Sequence, residues 1–231
     1  MITIRKGTSN MKVALFDFDG TLYPHETFTI LMERLKHHPK FSKNYRRFIR
    51  NFAPFYIGYK LKLVKKTKMQ HKAMEYYIRS FKHNSKPEIE QFFSDVASDM
   101  SLELRGSLVR KIRQLQKDHY YIMLISGAFV PLLEAIFKGF NIDCIVGSEV
   151  HYKDGRLDVK PQFERVHAER KIDIIRDHFK GREVDWKSSE AYSDSYSDLK
   201  MLQLVGRPVA VKPDPELLAV ASKNNWTIHR D

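Results

Sequence analysis

The sequence predicts an α/β fold: a mostly parallel sheet with crossover helices and an all-helical insertion near its start. Three observations support this. Short apolar runs alternate with amphipathic helical patterns after residue 100. Acidic or hydroxyl residues stand directly after several of these runs. Residues 29–99 are long, basic and aromatic, without a clear β-like run.

Taken in order, strands are expected near 12–17, 119–125, 143–147, 189–193, 207–211 and 226–229. Helices are expected near 101–117, 130–139, 163–179, 197–205 and 214–224. Ser148 to Val159, with Lys153-Asp154-Gly155 in its middle, reads as a β-hairpin. Asp214, before Pro215, is a suitable N-cap for the last helix. Within 29–99, Pro39, Pro54, Gly58 and Pro87 are expected to divide the segment into about four helices. The expected organisation is a core of 11–28 plus 100–231 and a cap of 29–99.

At 231 residues, with 42% hydrophobic and 29% charged, the chain can build a full globular core. It has no apolar run of 18 residues and no secretory-type leader, so neither a membrane span nor export is expected, and the cytoplasm is the expected location. Met11 offers an alternative start, with residues 1–10 then a disordered lead-in. The lone Cys144 excludes an internal disulfide and, within an apolar run, is expected in the core. Net charge is +12, and residues 29–99 hold 16 of the 40 Lys and Arg against 6 of the 28 Asp and Glu. Such a segment either steers anionic ligands or is simply a solvated basic surface.

The first expected strand ends in Asp17-Phe18-Asp19-Gly20-Thr21. Open α/β sheets bind ligands at the carboxyl ends of their strands. Residues i and i+2 of an extended segment point the same way, so Asp17 and Asp19 converge where a cation or proton must offset their repulsion. That pairing suits a nucleophile beside a general acid/base at a divalent metal. Taken alone, the motif also fits simple helix capping. The strand near 119–125 ends in Ser126-Gly127, a small cradle for phosphate oxygens or else a plain turn. Lys171 flanks the apolar stripe Ala168, Ile172, Ile175 and Phe179, placing its ammonium within reach of the sheet edge, with Lys160 as the rival cation. Asp194 and Asp198 follow the strand near 189–193 and provide hard oxygen ligands of the kind Mg2+ takes.

In combination, strand–DxDGT, strand–SG, a helical Lys and strand–DSxxD resemble the haloacid dehalogenase-like hydrolases. The resemblance is to the branch with a helical cap after the first motif, which includes phosphoserine phosphatase. It spans the core and extends to the C-terminal segment beginning Ala191-Tyr192-Ser193-Asp194. It implies a Rossmann-like sheet under a helical cap, and a Mg2+-dependent phosphomonoester hydrolase acting through an aspartyl-phosphate intermediate on a small phosphorylated metabolite. By it, Asp17 is the nucleophile and Asp19 the acid/base, with its backbone carbonyl on the metal. The carboxylates of Asp17 and Asp194 bind the same metal, and Asp198 supports its shell, directly or through water. Ser126 and Gly127 hold phosphate, with Thr21 as a helper, and Lys171 offsets charge. Glu26 matches a residue that meets the substrate ammonium in the phosphoserine enzymes, and it also suits a helix cap; His25 is expected to be solvated. The chain departs from those enzymes at Gly20, where they carry Ser, and in Ser193-Asp194-Ser195, where they are glycine-rich. The competing class is a binding module whose basic, aromatic cap holds nucleic acid or another phosphoanion beside a vestigial core. The sequence does not set the oligomeric state.

Overall fold

The computed structural model describes residues 10–230, so of the lead-in expected over residues 1–10 all but Asn10 lies outside the described residues. In chain order the strands are β1 (Val13–Phe16), β2 (Tyr121–Phe129), β3 (Cys144–Ser148), β4 (Tyr152–Lys153), β5 (Arg156–Leu157), β6 (Glu190–Ser193), β7 (Arg207–Val211) and β8 (Thr227–His229). Six of them form one parallel sheet in the order β3-β2-β1-β6-β7-β8. Val13 lies opposite Tyr121 and Phe16 opposite Leu124 on one side of β1, while Phe16 lies opposite Tyr192 on the other. Strands β4 and β5 form the expected hairpin. Asp154 (φ 51°) and Gly155 (φ 73°) supply the paired left-handed residues of a type I′ turn.

The four residues of β1 are 0% exposed, as a central strand covered on both faces requires. Val13 and Leu15 face the layer of α7 (Ala168–His178), α8 (Leu199–Leu202) and α9 (Pro215–Lys223). Ala14 and Phe16 face the layer that includes α5 (Gly106–Lys117) and α6 (Val130–Ile136). The sheet changes direction between β1 and β6, which creates a crevice at their carboxyl ends. Asp214 caps α9 by accepting from the Leu217 amide at 2.8 Å.

The helical segment comprises α1 (Thr27–His37), α2 (Ser42–Lys60), α3 (Lys66–Arg79) and α4 (Lys86–Leu102). Pro39 falls in the α1–α2 link and Pro87 in the first turn of α4, both as expected. Pro54 and Gly58 instead lie inside α2. Pro54 is exposed, so water can take the carbonyl its ring displaces, and the break comes at 61–65. Helix α4 runs through residue 99 and ends at Leu102, and the expected helix 101–117 begins only at Gly106. Tyr77 of α3 stacks on Phe129 (centroids 5.9 Å apart), and Phe93 of α4 lies 5.7 Å from the same ring. Cap and sheet thus share one apolar cluster. Cys144, expected in the core, is half-buried because β3 is an edge strand. Among the described residues, no helix is long and apolar enough to cross a membrane.

Candidate active site

The chain leaves β1 with the Asp17 amide donating to the Tyr192 carbonyl at 3.0 Å, so Asp17 is still held by the sheet. A tight turn follows, with the Thr21 and Tyr23 amides both donating to the Phe18 carbonyl. Gly20 sits at φ +74°, and a Cβ there would lie 2.1 Å from Asp194 Oδ2. The departure from Ser therefore has a physical cause: only a residue without a side chain lets the Asp194 carboxylate close on this turn. Arg105 braces the turn from outside, donating to the carbonyls of Thr21 (3.0 Å) and Gly20 (3.2 Å).

Lys171 is buried, and its Nζ stands 2.6 Å from Asp17 Oδ1 and 2.7 Å from Asp198 Oδ2. Burial works against its ammonium, but the two carboxylates outweigh burial and hold its pKa above the ordinary lysine value. Burial raises the Asp17 carboxyl, and the neighbouring Asp198 raises it further, against the pull of Lys171. Thr21 Oγ1 reaches both Asp17 Oδ2 (3.2 Å) and Asp194 Oδ1 (3.1 Å), tying together the ends of β1 and β6. Ser193 donates to Asp198 Oδ2 at 2.8 Å, which gives the serine in place of the usual glycine a structural task.

Asp19 turns towards the cap. It accepts from the Thr27 amide at 2.9 Å and from the Thr27 hydroxyl, so Asp19 caps α1 while Glu26, at the N-cap position, makes no side-chain cap bond. Burial pushes the Asp19 carboxyl up to about 7, opposed by Thr27 and aided by Asp17. Burial and the Asp17 charge likewise push Asp194 up to about 7. The Ser126-Gly127 pair is not a strand end as expected: β2 continues to Phe129, with an irregular register between Ile125 and Phe129. This bulge re-aims the segment towards the crevice. Ser126 is buried and accepts from the Ala128 amide at 3.1 Å, and Gly127 lies against the Val166 carbonyl.

These groups line a cleft of about 420 Å³ between sheet and cap, which also receives Glu26 and the α3 residues Lys66, Thr67 and Gln70. Thr21 lies beneath its floor, fully buried. Lys160 is exposed on the loop after the hairpin and does not line the cleft; Lys171 does. His25 is exposed, 3.5 Å from Glu103. Sequence reasoning missed Arg165. The helix expected from 163 begins at Ala168, and the irregular chain before it carries Arg165 into the cleft. Arg165 Nη1 donates to Gln70 at 3.3 Å, but its Nε is buried without a partner. Burial lowers this guanidinium's pKa, while Asp19 and Glu26 oppose the fall. Its only sequence signal was a positive charge six residues before Lys171.

The cleft's donor set fits a hard divalent cation. Asp17 and Asp194 repel each other across one hydroxyl, and Asp198 Oδ1 is buried without a partner. No three His, Cys, Asp or Glu side chains among the described residues form a closed metal site alone. A cation that keeps water and substrate oxygens, as Mg2+ does, needs no such closed set.

A family model for haloacid dehalogenase-like hydrolases matches residues 14–203. The chain belongs to that family. Among its relatives, a putative hydrolase of Mycobacterium leprae is 30% identical over 120 residues, covering 50% of this chain and 40% of that protein. The phosphoserine phosphatase SerB1 of Mycobacterium tuberculosis is 29% identical over 120 residues, covering 52% of this chain and 39% of that one. The matches thus cover well under half of these curated relatives' own length. A solved structure of a protein of unknown function from Bordetella pertussis Tohama I superposes with TM-score 0.76 at 21% identity, covering 96% of this chain and 99% of that one. At that identity the likeness concerns the fold. Within the haloacid dehalogenase-like family, this chain presents its four motif positions around one cleft.

Proposed function

We propose that this hydrolase removes phosphate from phosphomonoesters through an aspartyl-phosphate on Asp17, with Mg2+ as cofactor. The observation that carries the reading is the buried contact of Lys171 with Asp17 and Asp198, beside an Asp19 carboxyl raised to about 7. Phosphoryl transfer depends chiefly on positioning and charge stabilisation, which this arrangement supplies. Asp17, Asp194 and the Asp19 carbonyl would hold Mg2+, with Asp198 in support, and the ion would offset charge on the phosphoryl oxygens.

Lys171 keeps Asp17 ionised and in place for attack on phosphorus. Its ammonium then lies between two carboxylates and the incoming phosphate. A carboxyl with a pKa near 7 holds a proton at neutral pH and can release it, so Asp19 protonates the leaving oxygen and then takes a proton from the hydrolytic water. Thr27 fixes the orientation of that carboxyl. The Ser126 hydroxyl and Gly127 amide serve the phosphate oxygens. Helices α1 to α4 serve as a cap that covers the cleft and excludes water.

The substrate class is a small phosphorylated metabolite, in line with the phosphoserine phosphatase among the relatives. Glu26 at the cleft mouth is placed to meet an amino group, and Arg165 to meet an anionic one. Metal-dependent hydrolysis of an aryl phosphate, lost in Asp17→Asn, is the test. Full activity in that variant would refute the nucleophile.

A further inference from the structure

Residues 34–74 contain 13 Lys and Arg and no Asp or Glu. Within this stretch, the end of α2 and the link to α3 read Lys60-Leu61-Lys62-Leu63-Val64-Lys65-Lys66. Leu63 is 80% exposed, Leu61 64%, Ile57 56% and Tyr56 44%. Scattered exposed apolar side chains are ordinary, but a contiguous set interleaved with lysines is not.

Two cavities, the smaller wholly apolar and the larger mixed, adjoin this edge and share Tyr56, Phe52 and Phe28. One, of about 260 Å³, is a groove between α1 and α2 walled also by Met32 and Phe48. The other, of about 470 Å³, runs beside Met69 to Asp19 and Arg165, and so opens into the catalytic cleft. The basic apolar edge, the groove and the cleft are therefore continuous through Tyr56.

We propose that this edge of the cap docks the protein on an anionic lipid bilayer. The leucines and Ile57 would enter the headgroup–acyl boundary while Lys60, Lys62 and Lys65 meet lipid phosphates. Charge complementarity selects an anionic partner, and the protruding side chains select the lipid. The three most exposed apolar side chains of this edge, Leu63, Leu61 and Ile57, are aliphatic: they offer nucleic acid neither a stacking face nor a hydrogen bond, whereas acyl chains accept them, and Tyr56 suits the headgroup level. Docking there would bring the larger chamber, with the cleft at its inner end, to the lipid surface. Its occurrence does not require the phosphatase reading.

The test is flotation of the full chain carrying Asp17→Asn with phosphatidylcholine vesicles and with vesicles containing phosphatidylglycerol, so that binding is measured apart from catalysis. Binding to the anionic vesicles alone, weakened by salt, is expected. The pair Leu61→Asp and Leu63→Asp should reduce it about tenfold or more, as should Lys60→Glu with Lys62→Glu. In the active chain, both pairs should leave hydrolysis of a soluble aryl phosphate unchanged, which also reports that they fold. No binding to anionic vesicles at low salt overturns the proposal. So does binding indifferent to the leucine pair, which would reduce the patch to an unspecific basic surface. Tighter, salt-sensitive binding of single-stranded RNA that displaces the vesicles would overturn it in favour of a nucleic-acid partner.

Discussion

At Asp17, Lys171 and Asp198, three buried charges are arranged so that each restrains the others. Lys171 makes two short contacts, and removing it leaves two carboxylates buried together without a counter-charge. Lys171→Ala should lower kcat about a hundredfold or more, measured at saturating aryl phosphate and Mg2+. Arg165 bears on the other end of the substrate. Its buried Nε lacks a partner, so a bound anion is its natural complement. Arg165→Gln should raise KM about tenfold or more while changing kcat less; an unchanged KM across anionic substrates would remove it from the binding site. At Gly20, a methyl group would collide with the Asp194 carboxylate and strain a left-handed backbone. Gly20→Ala should therefore weaken Mg2+ activation, seen as a higher metal concentration at half-maximal rate.

At the scale of elements, the end of β2 joins chemistry to packing. The bulge at which Ser126 and Gly127 line the cleft is followed by Phe129, which is fully buried against Tyr77 and Phe93 of the cap. Phe129→Ala would leave a cavity under α3 and α4 and should cost about 3–5 kcal/mol in denaturant unfolding. The same variant should impair activity more than its stability loss alone explains, because Phe129 ends the strand segment that carries Ser126 and Gly127. Helix α1 depends on Asp19 in a similar way. The carboxyl that accepts from its Thr27 amide also lines the cleft, so the start of α1 and the cleft share one group.

For the whole molecule, the crowded carboxylates link stability to pH. Burial and the nearby Asp17 charge push the Asp19 and Asp194 carboxyls up to about 7 in the folded chain, from an ordinary value of 3.8. Between those values the folded chain holds protons that the unfolded chain has released. In chelator, stability should therefore fall as pH rises through that window. A cation held by the Asp194 carboxylate would replace the proton there, so Mg2+ should raise Tm clearly at pH 8 and little at pH 5; at a hundredfold excess over Kd the rise should be several degrees. A Tm at pH 8 indifferent to Mg2+ would argue against the metal site.

What the sequence by itself determined was the content that local periodicity carries. Apolar runs placed the sheet strands to within a few residues, the Asp-Gly pair placed the hairpin, and carboxylates after two runs placed Asp17 and Asp194 at strand ends. These signals are local because strand alternation, turn conformation and capping depend on near neighbours. Tertiary structure decided the rest. Pro54 stays within α2 because that side of the helix is wet. Ser126 lies within a strand because β3 continues to pair alongside it at Phe129. Cys144 is half-exposed because nothing flanks β3 on its far side in the sheet. Arg165 enters the cleft from a loop without periodicity, and Arg105 reaches back to a turn more than eighty residues earlier. Such contacts are set by which elements become neighbours in the folded chain, and residue spacing alone does not encode that.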